Sequence, residues 1–472
     1  MKDMSQLALL PLDEPEAEHR PEDLSSAALA SSDSLQPVND FPAFDEIRHG
    51  DLLALALSTN TTRLTHGLHR FPAKYIPQIP RWAMRQFTTQ ASVVLDPFMG
   101  SGTTLVEGLC SVNQTFGTDI DPLARLISAA KTAKYNAQRL ARLTAVLLEA
   151  RKGPKGAFVL PMSEVKNVGH WFNDEAWQTL SSIFAAIERL DCSETERNYF
   201  FCIFSSILRW VSNADDQTQK TYVSGTLKKN PPPVWETFEK ALIKSLNAVK
   251  SLDDQRGPGA ASLLDGSALS IPLPDGAVDL VVTSPPYLDS VDYMYNFMLE
   301  YFWLGPKIGV PSRSDFNARR RTPVGAKNPL SRDRTLPREL LDLVNLNEVP
   351  GYRKEAILNY FGAMKAHFEE AARVMKTDGR YVLVIGNSQA QSGVIAVHDC
   401  LLRLARSAGL HLEKAFAYRI RRHYMKFPRK GRGGIILMDW VITLRKTDRA
   451  ILPVEDRLPL PNITIGHDEV AH

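Results

Sequence analysis

Thr283-Ser284-Pro285-Pro286-Tyr287 is the stretch of this chain best suited to chemistry. It closes a short apolar run, VDLVVTS (278–284), that reads as a buried strand. Pro285 and Pro286 fix φ and carry no N–H, so their carbonyls face outward as unsatisfied acceptors. An exocyclic amino group on cytosine or adenine is a poor nucleophile, because its lone pair is delocalised into the ring. The Ser284 hydroxyl and the Pro285 carbonyl can hold both amino hydrogens. That draws the nitrogen toward tetrahedral geometry and frees its lone pair for in-line attack on a methyl group. Tyr287 offers a ring on which an extruded base would stack, since the target atom is unreachable inside a duplex. The structural alternative is a rigid strand exit with a core tyrosine.

A second candidate lies far upstream. Asp96-Pro97-Phe98-Met99-Gly100-Ser101-Gly102-Thr103-Thr104 stands where the apolar run ASVVLDPF (91–98) turns into a helical pattern, TLVEGLCSV. Ligands of open parallel sheets bind at the carboxyl ends of the strands. Gly100 and Gly102 permit positive φ and close backbone approach. A phosphate-binding loop requires Lys where Thr103 stands, and a dinucleotide fingerprint requires Gly where Leu105 stands, so neither fits. Asp96 before the glycine turn suits a cationic ligand such as an ammonium or sulfonium. A purely structural strand-to-helix turn is the competing reading. The next strand, QTFGTD, ends in Gly117-Thr118-Asp119-Ile120-Asp121. An acidic residue at this distance past a glycine turn can accept both ribose hydroxyls, and Asp119 is the choice, with Asp121 a candidate helix cap. A third strand ends in Asp265-Gly266, where Asp265 is either an acceptor for an adenine amino group or a turn residue.

DPFMGSGTT followed by TSPPY resembles the amino-methylating DNA methyltransferases, and HGLHRFPAKYIPQIP (66–80) looks like that family's additional cofactor motif. The resemblance covers about residues 65–130 and 260–445. It implies a mostly parallel seven-stranded Rossmann-like sheet and S-adenosylmethionine as cofactor. It would put Phe71, Ala73 and Lys74 near the methionine part of that cofactor. Asp96, Pro97, Phe98, Gly100, Ser101, Gly102 and Thr103 would form the glycine-loop site. Asp119 with Ile120 would hold the ribose, Asp265 would serve the adenine, and Ser284 through Tyr287 would form the catalytic pocket. Ser in the first tetrapeptide position is more typical of cytosine-N4 methylation, and Asp or Asn of adenine-N6 methylation. Carbon-5 methylation of cytosine is disfavoured, since it needs a thiolate and no cysteine occupies the catalytic turn.

Strands must alternate with helices to position these turns. Beyond the runs already named, 354–376 and 394–408 read as helices, and 380–386, 411–418 and 434–444 as strands, the last pair closing as an antiparallel hairpin. The fold class is therefore α/β, with a doubly wound parallel sheet. Between its second and third strands the pattern turns helical, at 173–190, 194–211 and 234–251. The expected organisation is a flexible acidic arm (1–45), a methyltransferase domain (46–135 and 256–446), a helical insertion (136–255) and a tail (447–472). Residues 305–350, rich in Arg, Pro and Asn, form a connection too long to be passive.

Composition narrows the function class. The 44% hydrophobic and 23% charged fractions suit a soluble globular protein. The net charge of +3 does not itself argue for nucleic acid. Four cysteines without CxxC pairing or zinc-ligand spacing argue against a metal site. No run approaches the ~18 apolar residues of a membrane span, and the acidic start reads as no signal peptide, so a cytoplasmic location is expected. Two basic stretches suit phosphate contacts: one with Arg319, Arg320 and Arg321, the other with Arg421, Arg422, Lys426, Arg429 and Lys430 among Tyr418, Tyr424 and Phe427. A solvated charged loop is the alternative for each. The insertion loop 210–235, with Lys220, Lys228 and Lys229, is either a base reader or an ordinary helix connection. Duplex DNA is the expected substrate and a cognate restriction endonuclease a possible partner; oligomeric state is not legible. An adenine-N6 enzyme, an RNA base methyltransferase and a catalytically silent nucleic-acid binding module remain as alternatives.

Overall fold

The computed structural model describes residues 35–56, 60–72, 74–152, 165, 167–216, 220–226, 228–288, 292–326, 336, 340, 351–386, 388–390, 393–420 and 438–447. In chain order these form β1 (Leu35–Val38), β2 (Leu52–Leu55), α1 (Gln78–Phe87), β3 (Val93–Asp96), α2 (Thr103–Leu109), β4 (Gln114–Gly117) and α3 (Pro122–Thr132). The helical stretch contains α4 (Ala137–Glu149), α5 (Val168–Trp171), α6 (Asp174–Arg189), α7 (Glu194–Leu208) and α8 (Val234–Gln255). Then follow β5 (Ala260–Leu263), β6 (Val278–Thr283), α9 (Tyr293–Asn296), α10 (Met298–Leu304), α11 (Arg313–Arg319) and α12 (Gly351–Val374). The chain ends its described part with β7 (Met375–Ile385), a β8–β9 hairpin (Ser388–Ala390, Gly393–Ile395), α13 (Val397–Ser407), β10 (Leu410–Arg419) and β11 (Met438–Lys446).

One nine-stranded sheet runs β1-β2-β10-β11-β7-β6-β3-β4-β5. Within it lies the expected seven-stranded Rossmann-like arrangement, with β11 alone antiparallel, between β7 and β10. The surplus is β1 and β2, which extend the β10 edge in parallel. The expected flexible arm is thus too long: from Leu35 the chain joins the sheet, and Phe41 is buried against Trp82, Phe416 and Tyr418. A single aromatic ring supplies enough apolar area to tie down a segment whose composition is otherwise polar.

The central strands read as continuous apolar runs because helices cover both faces. Their two-residue period divides the core: Val94, Leu280, Val282, Val382 and Val384 face α1 and Phe41. Leu95, Val281, Leu383 and Ile385 face α12 and α13. In the helical stretch between β4 and β5, α6 and α7 begin where the sequence predicted, because their caps are written locally. Asn173 caps α6, and Ser193 with Glu196 forms a capping box on α7. It does not carry a core of its own. Leu123 and Ile127 of α3, Phe184 and Phe204 of the insertion, and Trp303 of α10 share one apolar cluster. No helix among the described residues is long and apolar enough to cross a membrane.

Candidate active site

Adjacent strand tips build the site. β3 pairs in parallel with β6 on one side, Leu95 opposite Val281, and with β4 on the other, Asp96 opposite Gly117. The glycine turn, the Asp119 turn and the Ser284 tetrapeptide therefore leave the same edge of the sheet side by side. A hydrogen bond welds two of these tips: Thr283 Oγ1 donates to Asp96 Oδ1 at 2.7 Å.

Asp96 departs from its expected role. Its carboxylate is fully buried and already accepts from Tyr75 Oη at 2.9 Å, Thr104 Oγ1 at 2.6 Å and the Phe98 amide at 3.2 Å. With Thr283 included, four donors occupy both oxygens, so it does not face an incoming cation. It ties the turn, α2, the segment around Tyr75 and β6 to one point. Burial raises its pKa against these hydrogen bonds.

The turn itself is shaped for close approach. Gly100 and Gly102 have φ of +48° and +76°. A Cβ on Gly100 would lie 3.1 Å from the Phe71 ring, and one on Gly102 2.9 Å from Ser128 Oγ. Ser128 in turn donates to the Gly100 carbonyl at 2.8 Å. Phe98 is half-buried against His367, whereas Pro97 and Thr103 are buried. Ser101 is buried, and its hydroxyl finds no partner among the described residues.

Asp119 holds the turn from the next strand. Its Oδ2 accepts the Gly100 amide and its Oδ1 the Asp121 amide, each at 2.9 Å. Burial, then the nearby Asp121 carboxylate, raises its pKa to about 7. Asp119 and Ile120 are half-buried, and each Asp119 carboxylate oxygen keeps a further lone pair. Asp121 caps α3 through the Leu123 and Ala124 amides, and Tyr301 Oη donates to it at 2.7 Å. Asp265 sits at the tip of β5 with its side chain in solvent, 3.6 Å from Arg125. Turn geometry, not an enclosed acceptor site, describes it in this structure.

Among the residues of the additional motif, Phe71 is buried and stacks on Phe297, with centroids 5.2 Å apart. Lys74 donates to the His66 carbonyl at 3.0 Å, and burial lowers its pKa to about 8. Ala73 lies outside the described residues. In the tetrapeptide, Pro285 is buried while Ser284, Pro286 and Tyr287 are half-buried. Tyr287 Oη donates to Asp439 Oδ1 at 2.7 Å.

The basic stretches divide. Arg320 is consumed internally: its Nε donates to Asp292 at 2.8 Å and its guanidinium lies 4.9 Å from the Tyr295 ring centre. Arg319 is half-buried and Arg321 exposed, both at the end of α11. Arg421, Arg422, Lys426, Arg429 and Lys430 lie outside the described residues, with Tyr424 and Phe427. Tyr418 is no base-stacking candidate, since it is buried and donates to Asp439 at 3.0 Å. In the insertion loop, Lys229 pairs with Asp216 at 3.1 Å, and Thr221 donates to the Asn296 carbonyl at 2.6 Å. That loop is docked on the segment following the tetrapeptide.

Sequence reading missed Glu107. This buried carboxylate accepts from His66 Nε2 at 2.8 Å, Arg63 Nη2 at 3.0 Å and Arg81 Nε at 2.8 Å. Burial would raise its pKa; the His66 and Arg81 hydrogen bonds overcome this and hold it at about 2. The three partners all come from the segment that carries the additional motif. The available signal was an acidic residue inside the otherwise apolar pattern TLVEGL.

No protein-family model matches the chain. Type II methyltransferase M.MvaI of Kocuria varians is 27% identical to it over 409 residues, covering 79% of this chain and 86% of that protein. The chain is thus similar to a Type II methyltransferase over most of its length. M.BsoBI of Geobacillus stearothermophilus, another Type II methyltransferase, is 24% identical over 53% of this chain and 55% of its own. M.MjaII of Methanocaldococcus jannaschii is 35% identical, over 19% of this chain and 17% of its own. Among solved structures, a SAM-dependent methyltransferase from Methanosarcina mazei matches with 9% identity and a TM-score of 0.29, covering 77% of this chain and 96% of that one. The rRNA methyltransferase aviRa of Streptomyces viridochromogenes matches with 12% identity and a TM-score of 0.27, covering 81% and 90%.

Proposed function

We propose that this protein is a DNA methyltransferase that moves a methyl group from S-adenosylmethionine to the exocyclic N4 amino group of cytosine. The observation that carries this reading is the shared sheet edge: the Gly100 turn, Asp119 and Ser284-Pro285-Pro286-Tyr287 leave neighbouring parallel strands. The similarity to Type II methyltransferases supports it.

The residues present suit the cofactor. Two positive-φ glycines open the turn, Ser101 keeps a buried hydroxyl without a partner among the described residues, and Asp119 keeps free lone pairs beside it. When bound, S-adenosylmethionine supplies a methyl group activated by a sulfonium. Asp119 would accept the ribose hydroxyls. Phe71, walled by Phe297, and the Gly100–Gly102 backbone would line the rest of that site. Ser284 Oγ and the Pro285 carbonyl would accept the two amino hydrogens, and Tyr287 would stack on the extruded base. Arg319 and Arg321 would serve the phosphates, together with the 421–430 stretch, and the 136–255 insertion would contribute to target recognition. A Type II system would pair the protein with a restriction endonuclease.

Mass spectrometry of nucleosides after incubation with unmethylated DNA and labelled cofactor decides the reading, with N4-methylcytosine as the expected product. N6-methyladenine would replace the cytosine version. Modified RNA in place of DNA, or no modified base at all, would overturn the reading.

Two further outcomes belong here. Asp119 must be ionised to accept two hydroxyls, and its pKa is about 7. Cofactor affinity measured by calorimetry should therefore be about tenfold weaker at pH 6 than at pH 8. Asp119→Asn should bind more weakly and lose this pH dependence. Tyr287→Ala should lose stacking worth roughly 1–3 kcal/mol, seen as slower methylation with cofactor affinity retained. Methylation at the wild-type rate would remove Tyr287 from the pocket.

A further inference from the structure

A stacking ring works best when its position is held before the base arrives, and Tyr287 stands on a half-buried turn at the end of β6. A ring on a turn can swing about χ1; a hydrogen bond at Oη fixes χ1 and the position of the ring, and the in-plane preference of the phenol O–H biases χ2. Tyr287 Oη donates at 2.7 Å to Oδ1 of Asp439, a buried residue in the second position of β11. The other oxygen of the same carboxylate accepts Tyr418 Oη at 3.0 Å from the paired strand β10. Tyr418 is locked in turn by an edge contact with Phe41, with ring centres 5.9 Å apart.

β11 is the one antiparallel strand of the sheet, two places from β6, so this carboxylate reaches the catalytic turn across β7. Burial opposes its charge. A buried carboxylate retained with two tyrosine donors is costly as a packing solution, since two apolar side chains would fill the space without desolvating an ion.

We infer that Asp439 is a positioning residue of the methyl-transfer site, pinning the Tyr287 ring where it receives the extruded base. This rests on the proposed function, because it assigns the ring held by Asp439 the stacking role given to Tyr287 there. In this assignment Asp439 acts on the reaction through Tyr287, not directly on base or cofactor. Tyr418 satisfies the second carboxylate oxygen and takes no part in stacking.

Steady-state methylation of unmethylated plasmid DNA, with cofactor affinity by calorimetry, tests this on Asp439→Asn, Tyr287→Phe and the double variant. Tyr287→Phe keeps the ring and removes only the bond. Each single substitution should lower kcat about tenfold, the scale of one hydrogen bond to a charged group. KM for DNA and cofactor affinity should be unchanged, and the double variant should be no slower than either single one. Tyr418→Phe, which removes the other donor, should keep kcat within about twofold.

Multiplying losses in the double variant would overturn the inference, as would Tyr287→Phe with wild-type kcat. Loss of cofactor affinity in parallel with kcat would make Asp439 a structural residue only. Should Asp439→Asn fail to fold, Tyr287→Phe still reports on the same bond from its other end. Wild-type protein that methylates no DNA would instead sink the underlying function, and these outcomes are read on separate samples.

Discussion

Glu107→Ala should destabilise the protein by about 3–5 kcal/mol, the scale for removing one partner of a buried ionic cluster. The side chain is 1% exposed and satisfies Arg63, His66 and Arg81 together. Its removal leaves two guanidinium groups facing each other with no counter-charge, and His66 without its acceptor. His66 is neutral at pH 7, since burial lowers its pKa to about 4, so it donates through Nε2 and cannot take over the balancing role. The segment 63–81 would lose its main anchor to α2 and with it the register of Phe71 against Gly100. Denaturant unfolding at pH 7 measures the loss. Glu107→Gln should recover part of it, because the amide oxygen still accepts one or two of these bonds. A change under 1 kcal/mol for Glu107→Ala would mean that the cations repack without cost.

Ser284→Ala should lower kcat for DNA methylation by about 10²–10³-fold, the scale for deleting one preorganised polar contact to a reacting centre. On the proposed mechanism its hydroxyl is one of two acceptors for the target amino group, and the Pro285 carbonyl alone would leave the nitrogen lone pair more fully delocalised into the ring. Thr283, next in the chain, stays bonded to Asp96, so the strand tip keeps its place. Cofactor affinity and unfolding midpoint should therefore match wild type while single-turnover methyl transfer slows. Ser284→Asp is the informative companion: it restores a strong acceptor and should recover part of the rate. An unimpaired Ser284→Ala would leave the tetrapeptide as a strand exit only.

The elements of the site were legible because their signals are local. Consecutive prolines, positive-φ glycines and the Asp121 cap before Pro122 act within a turn or two, and the structure realises the cap as written. The runs VVLD and VDLVVT are apolar enough to fix buried strands wherever the sheet forms. Asp96 was misjudged for the complementary reason. A carboxylate at a strand tip carries no local sign of what it will meet, and its donors come from Tyr75, Thr104 and Thr283, up to 187 residues away. Arg320 was misjudged likewise, because Asp292 and Tyr295 reach it only after α9 and α11 dock.

By itself the amino-acid sequence determined the chemistry on offer and the order of the central strands and of the helices around them, since propensity, capping and apolar period act at short range. Only the tertiary structure decided which strand tips stand together, which carboxylates are spent on internal donors, and which side chains Asp439 and Glu107 hold. Those outcomes depend on parallel pairing and burial between segments far apart in the chain, where a charge finds its partners only when water is excluded from both.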